Sequence, residues 1–186
     1  MQKNWSIWKS SYRMLARGAA VATLASALIV PQVAQACTSF VLPTTDGSVV
    51  YGRTMEFAFP IDSDLIVLPR NFEISATPAD GKEAKSWKAK YAAVGMNAFG
   101  VTALADGMNE KGLTGGVLYF PDFAKYTDPA DAKAEDSLAP WDVLTWALTN
   151  FATVAEVKEA LSNISVVTVI QKNMGIAPPL HYTLHD

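Results

Sequence analysis

The feature that most constrains this chain is the run Ala34-Gln35-Ala36-Cys37-Thr38-Ser39, where the marks of an export signal lead straight into the only cysteine of the sequence. Lys3, Lys9, Arg13 and Arg17 give a basic start, residues 18–30 a mostly apolar stretch, Pro31 a break, and Ala34-Gln35-Ala36 an A-x-A cleavage signature. Cleavage after Ala36 would make Cys37 the first residue, so that one residue carries both a thiol and a free α-amine. The thiolate is the form that attacks a carbonyl, and an unperturbed cysteine of pKa about 8.5 is mostly protonated at neutral pH. An α-amine titrating at about 7.7 to 8.0 can take that proton and later return one to a leaving amine. The cleavage site is then a chemical requirement, because a peptide nitrogen is no base.

The apolar stretch is shorter than the roughly 18 residues a membrane-spanning helix needs, so residues 1–36 are expected to be a signal peptide and the mature protein an exported one, periplasmic or secreted, without a membrane span. The remaining 150 residues suffice for one domain with a core. Without the signal, eleven basic side chains face eighteen acidic ones, a formal charge of −7, which speaks against nucleic-acid or anionic-membrane partners. A lone cysteine forms no internal disulfide; in an oxidising compartment it must be buried, lipidated, paired with another chain or used. Lipidation is the rival to cleavage before a free cysteine, and would make the chain an anchored binding module. Lipoprotein signals usually carry Leu three residues before the cysteine, where this chain has Ala34.

Beyond the junction, residues 38–42 and 48–51 are rich in β-branched and aromatic types around turn chemistry at residues 44–47, which predicts a β-hairpin. A two-residue Asp46-Gly47 turn would place Cys37 opposite Glu56. Arg53 and Glu56, three apart, share a face only if the strand ends or bulges at Thr54 or Met55. Residues 65–68, 91–96, 101–104 and 113–120 read as further strands, residues 73–88 as a polar surface excursion, and residues 106–112 as a turn between two strands. Residues 140–151 form an apolar helix, and Thr153-Val154-Ala155-Glu156 is a capping box opening a second. Residues 164–170 return to strand and residues 180–185 begin another. Strands followed by a helical pair suggest an α+β chain with helices layered on an antiparallel sheet.

Taken singly, most candidate residues have plain explanations. Arg53 and Glu56 could be ordinary surface charges, and Tyr119 a half-buried strand aromatic. His181 and His185 share one face of a strand, and a Cys-His dyad with Cys37 competes with a structural role for both.

In series the motifs carry more. Cys37-Thr38 with Phe40, Asp46-Gly47, Gly52-Arg53-Thr54-Met55-Glu56, Leu68-Pro69-Arg70-Asn71-Phe72, the Asp106-to-Leu113 run and Tyr119-Phe120-Pro121 resemble, in order and spacing, the choloylglycine hydrolase family. That family comprises bile salt hydrolases and penicillin V acylases, N-terminal-nucleophile amidohydrolases with an αββα sandwich. The resemblance implies a linear amide hydrolase without cofactor or metal, acting on a small-molecule amide. It makes Cys37 the nucleophile and Arg53 the cation beside it. Glu56, where the family usually has Asp, would hold the α-amine, and Tyr119 would be an oxyanion-hole donor. Met55, Phe57 and Phe59 would line the substrate pocket. Family members continue past the position matching Asp186, with a second oxyanion-hole asparagine and another arginine. The chain is therefore expected to be the front part of such a domain, impaired unless a complementing polypeptide or an oligomer completes it.

Overall fold

The computed structural model describes residues 37–57 and 59–186; the expected signal peptide lies outside the described residues. Strands β1 (Ser39–Pro43) and β2 (Val49–Arg53) form the expected hairpin, but its register differs by one: Ser39 faces Arg53 and Pro43 faces Val49. The loop has three residues, 45–47, closed by Thr44 N donating to Ser48 O at 2.9 Å, with Gly47 in the left-handed region at φ +85°. The cause is Asp46, whose Oδ1 accepts from Ser48 N at 3.0 Å and from the Ser48 hydroxyl at 2.7 Å. That side-chain turn favours a type I bend followed by a left-handed glycine over the tight two-residue alternative. Thr38 therefore pairs with Thr54, which donates to its carbonyl at 2.9 Å, and Glu56 falls one step beyond the position opposite Cys37.

Five strands make the main sheet: β3 (Leu65–Leu68), β6 (Ala93–Asn97), β7 (Leu104–Asn109), β8 (Thr114–Tyr119) and β11 (Leu180–His185). Their order is β11-β8-β7-β6-β3, antiparallel throughout. Strand β7 runs through Asp106-Gly107-Met108-Asn109, so the turn is only residues 110–112. Gly107 lies opposite Gly95, and a Cβ on either would press on the partner strand's main chain. The paired glycines mark close strand contact where a chain of turn-forming residues suggested a loop. Residues 73–88 also depart from expectation. They hold a second hairpin, β4 (Glu73–Ser75) with β5 (Ser86–Lys88), whose Ile74 and neighbouring Ala76 are buried and whose Trp87 Nε1 donates to Thr149 Oγ1 at 2.9 Å. Of residues 164–170 only β10 (Ser165–Val166) pairs in a ladder, parallel to β9 (Ser137–Leu138).

Helix α1 (Asp142–Asn150) is buried along almost its whole length and packs on one face of the sheet. Leu104 N donates to Thr145 Oγ1 at 2.8 Å, and a Cβ on Gly115 would run into the main-chain oxygen of Thr183 on β11 and the Leu184 side chain, with Leu144 of the helix next at 3.1 Å. Helix α2 (Val154–Leu161) opens at the expected Thr153 cap, Glu156 N donating to Thr153 Oγ1, while the Glu156 carboxylate reaches one residue past the reciprocal position of a capping box and accepts from Ala152 N. The β1-β2 hairpin stands on the opposite face of the sheet. The core, centred on Leu104, Leu113, Leu138, Leu144 and Leu148, lies between sheet and helices.

Candidate active site

Cys37 precedes β1, and its Sγ lies 4.0 Å from the main-chain oxygen of Glu56. The strand ends at Arg53, and Thr38 N donates to the Thr54 side chain at 3.2 Å, so the main chain turns away at the position where an irregularity was expected. That departure brings the 54–57 segment around the sulfur. Cys37, Arg53, Met55, Phe57 and Tyr119 all border one cavity of about 90 Å³, whose wall is mostly hydrocarbon. Phe57 and Tyr119 meet edge to face with centroids 5.6 Å apart. Two expected residues lie elsewhere: the Glu56 residue is exposed and meets the thiol through its carbonyl, and Phe59 packs behind Phe57 at 5.1 Å, outside the wall.

Arg53 is the charged member of the wall, its side chain only 6 % exposed. Nη1 donates to Ala105 O at 2.9 Å, while the nearest carboxylate oxygen, on Asp106, is 3.9 Å from Nε. The guanidinium is thus held by the main-chain oxygens of Ala105 and, 3.4 Å from Nε, Thr54, with the Asp106 carboxylate at the edge of ion-pair distance, and its charge borders a cavity whose low dielectric strengthens electrostatic interactions. Tyr51, two residues before Arg53 and on the same face of β2, places a buried hydroxyl in this cluster. Burial raises its pKa; Arg53 opposes the rise, and Asp106 and Cys37 add to it.

Residues 37–186 match the family described as linear amide C-N hydrolases, choloylglycine hydrolase family. The chain belongs to this family. Among curated proteins it is 35% identical over 153 residues to a bile salt hydrolase/transferase of Clostridium perfringens, covering 81% of this chain and 45% of that protein. It is 32% identical over 164 residues to a penicillin V acylase of Pectobacterium atrosepticum, covering 83% and 42%. Crystal structures of two altered forms of a conjugated bile acid hydrolase from C. perfringens superpose with TM-scores of 0.67 and 0.66, each at 32% identity. The first is a cysteine-to-alanine mutant, covering 82% of this chain and 45% of that one; the second is an arginine-to-leucine variant, covering 80% and 44%. The chain thus spans less than half the length of these relatives. Its sheet, helical pair and facing hairpin are the corresponding part of the N-terminal-nucleophile hydrolase fold.

Within this choloylglycine hydrolase fold the structure adds wall residues that the sequence did not single out. Phe99, in the turn after β6, sits at φ +57° and projects into the cavity, held by its N–H to Ile61 O and by the Asn97 side chain, which accepts from Asp64 N at 2.6 Å. An aromatic followed by glycine between two strands was the available signal. Gln171, 8 % exposed, contributes a polar group while its Oε1 accepts from Asn173 N and Met174 N. Leu180 reaches the wall because Tyr126 clamps the start of β11, accepting from Leu180 N at 2.7 Å. His181 and His185 do not border the cavity; the His185 ring lies tilted against Tyr51 with centroids 5.4 Å apart, and that of His181 against Phe120 at 4.9 Å. Among the described residues no group of three or more His, Cys, Asp or Glu could hold a metal ion, and no helix is long and apolar enough to cross a membrane.

Proposed function

We propose that this chain is the nucleophile-bearing part of an exported linear amide hydrolase that acts through a thioester on Cys37. The observation that carries the reading is the Cys37 thiol at an apolar cavity beside a nearly buried Arg53. The two altered C. perfringens structures support it: their substituted cysteine and arginine lie sixteen positions apart, the separation of Cys37 and Arg53. After cleavage behind Ala36, the freed α-amine takes the thiol proton and Sγ attacks the amide carbonyl carbon. Tyr119 donates to the oxyanion of the tetrahedral intermediate. Collapse breaks the C–N bond, the α-ammonium protonates the departing amine, and water then attacks the thioester with the amine again as base. The exposed Glu56 carboxylate serves to hold the α-ammonium.

The acyl group is apolar and bulky, a bile acid or a phenoxyacetyl group, and contacts Met55 and Phe57; Tyr119 tilts the choice toward the phenoxyacetyl type. No cofactor takes part. The sheet face that carries Leu65, Val67, Val94 and Met108, all exposed and apolar, is where further polypeptide would pack. The test is N-terminal sequencing and intact mass of exported protein, before and after incubation with penicillin V or a glycine-conjugated bile salt. The expected result is a chain starting at Cys37 that gains the mass of the acyl group, and no gain in Cys37→Ala. A chain starting elsewhere, or a diacylglycerol mass on the cysteine, defeats the reading.

A further inference from the structure

Gly116 of β8 lies under β2, and two side chains of β2 come down where it has none. A methyl group built on its Cα would run into the Tyr51 hydroxyl, with Tyr51 Cζ 3.4 Å and Arg53 Nη1 3.5 Å from the same point. Its φ lies outside the left-handed region, so the backbone itself would accept alanine, and the constraint is one of space alone. The tip of the phenol and the guanidinium therefore share one notch in the sheet. Arg53 passes it to reach Ala105 O on β7. The Tyr51 hydroxyl is buried and has no hydrogen-bond partner among the described residues, and its ring is backed by His185 at 5.4 Å.

A buried hydroxyl without a partner is unfavourable. What Tyr51 contributes here is shape: the ring, wedged between His185 and the notch, closes one side of the path along which Arg53 is laid. We propose that Tyr51 is a positioning residue of the active site, which uses the Gly116 notch to fix Arg53 beside Cys37. This rests on the reading of Cys37 as nucleophile. The ring does the positioning and the hydroxyl dictates glycine at position 116, so the two requirements separate by mutation.

The test reads the rate at which iodoacetamide alkylates Cys37 in the exported chain, a measure that needs no turnover. Arg53→Leu sets the floor. Gly116→Ala should fall toward that floor by roughly tenfold, and adding Tyr51→Phe, which removes the colliding oxygen, should restore the rate to within about threefold of the parent. Tyr51→Leu, which removes the ring without adding bulk, should fall as Gly116→Ala does, while Tyr51→Phe keeps the rate. Thermal unfolding of each variant separates loss of Arg53 placement from loss of the fold, and Tyr51→Leu stands in if Gly116→Ala does not fold. The proposal is overturned if Tyr51→Phe fails to rescue a folded Gly116→Ala, if Tyr51→Leu alkylates like the parent, or if Arg53→Leu itself leaves the rate unchanged. Failure of the nucleophile reading shows separately, as absence of an acyl adduct on Cys37 in the parent protein.

Discussion

Replacing Asp142 with Asn should make this protein more stable at neutral pH and remove a pH dependence from its stability. Asp142 opens α1, is 6 % exposed, and accepts from Thr77 N at 2.6 Å, beside the Trp141 Nε1 bond to Thr77 Oγ1. Burial pushes its carboxyl from 3.8 up to about 6, against the hydrogen bonds from Thr77 and Ala139 that favour the anion. The folded protein therefore binds this proton more tightly than the unfolded chain does. Between pH about 4 and about 6 the folded state is protonated there and the unfolded state is not, so stability falls as pH rises through that window. A rise of about two units corresponds to about 3 kcal/mol, fully lost above the folded value. Asparagine keeps an oxygen for Thr77 N and carries no charge, so Asp142→Asn should be flat across the window and about 3 kcal/mol more stable than the parent at pH 7. Urea unfolding from pH 4 to pH 8, followed by the fluorescence of neighbouring Trp141 and Trp146, measures both. Asp46 and Glu110 do not confuse the comparison. The Thr44 hydroxyl and the Arg70 guanidinium, respectively, are the largest influences holding their carboxyls down at about 2, so their contribution is lost only as pH falls below about 4, equally in both proteins. A constant stability difference from pH 4 to pH 7, or an Asp142→Asn protein weaker at pH 7, would refute the reasoning.

Asn109 makes four side-chain hydrogen bonds, donating to Leu148 O and Phe151 O and accepting from Lys111 N and Leu113 N. At about 1 kcal/mol each, Asn109→Ala should cost about 4 kcal/mol in urea unfolding, and a loss under about 1 kcal/mol would mean that water replaces the clamp. Leu65 and Val67 are 68 % and 66 % exposed on β3. Changing both to Lys should alter unfolding free energy by less than about 0.5 kcal/mol per site while reducing self-association in sedimentation; a clear loss of stability would show that the face is not free.

The parts of the site that lie close in sequence were legible, because a hairpin ties Cys37 to Arg53 whatever its exact register, and the end of the strand at Arg53 followed from needing residues 53 and 56 near one sulfur. The Thr153 cap of α2 is likewise a local rule obeyed locally. Misread segments share a different cause. Asp46 redirects the turn through its own side chain, a competition of a few hydrogen bonds that residue types alone do not decide. Residues 73–88 hide a hairpin because its strands are three residues each, too short for alternation to stand out. Asp106 and Gly107 look like turn residues, yet one serves as a carboxylate near Arg53 and the other as a close-contact strand glycine. Gly116 acts only across the sheet, where nothing in its immediate neighbours announces it.

The two adjacent glycines of β8 explain how this sheet serves both layers. Successive residues of a strand face opposite sides, so Gly115 makes room for Leu184 of β11 and Leu144 of α1 on one side, with Thr183 O of β11 closest of all, while Gly116 admits Tyr51 and Arg53 on the other. Cys37 and Arg53 belong to the β1-β2 hairpin segment, whereas Ala105 and Tyr119 belong to the sheet and Phe99 to the turn after β6. A movement of the hairpin would therefore shift the thiol relative to the sheet while the guanidinium is held back by its bond to Ala105 O. The Arg53-to-Ala105 bond across this junction links the two bodies, and the Tyr51 ring in the Gly116 notch resists sliding along it. The relation of thiol to guanidinium is then set jointly by the hairpin and the sheet, and it holds only while Tyr51 keeps β2 seated in the Gly116 notch.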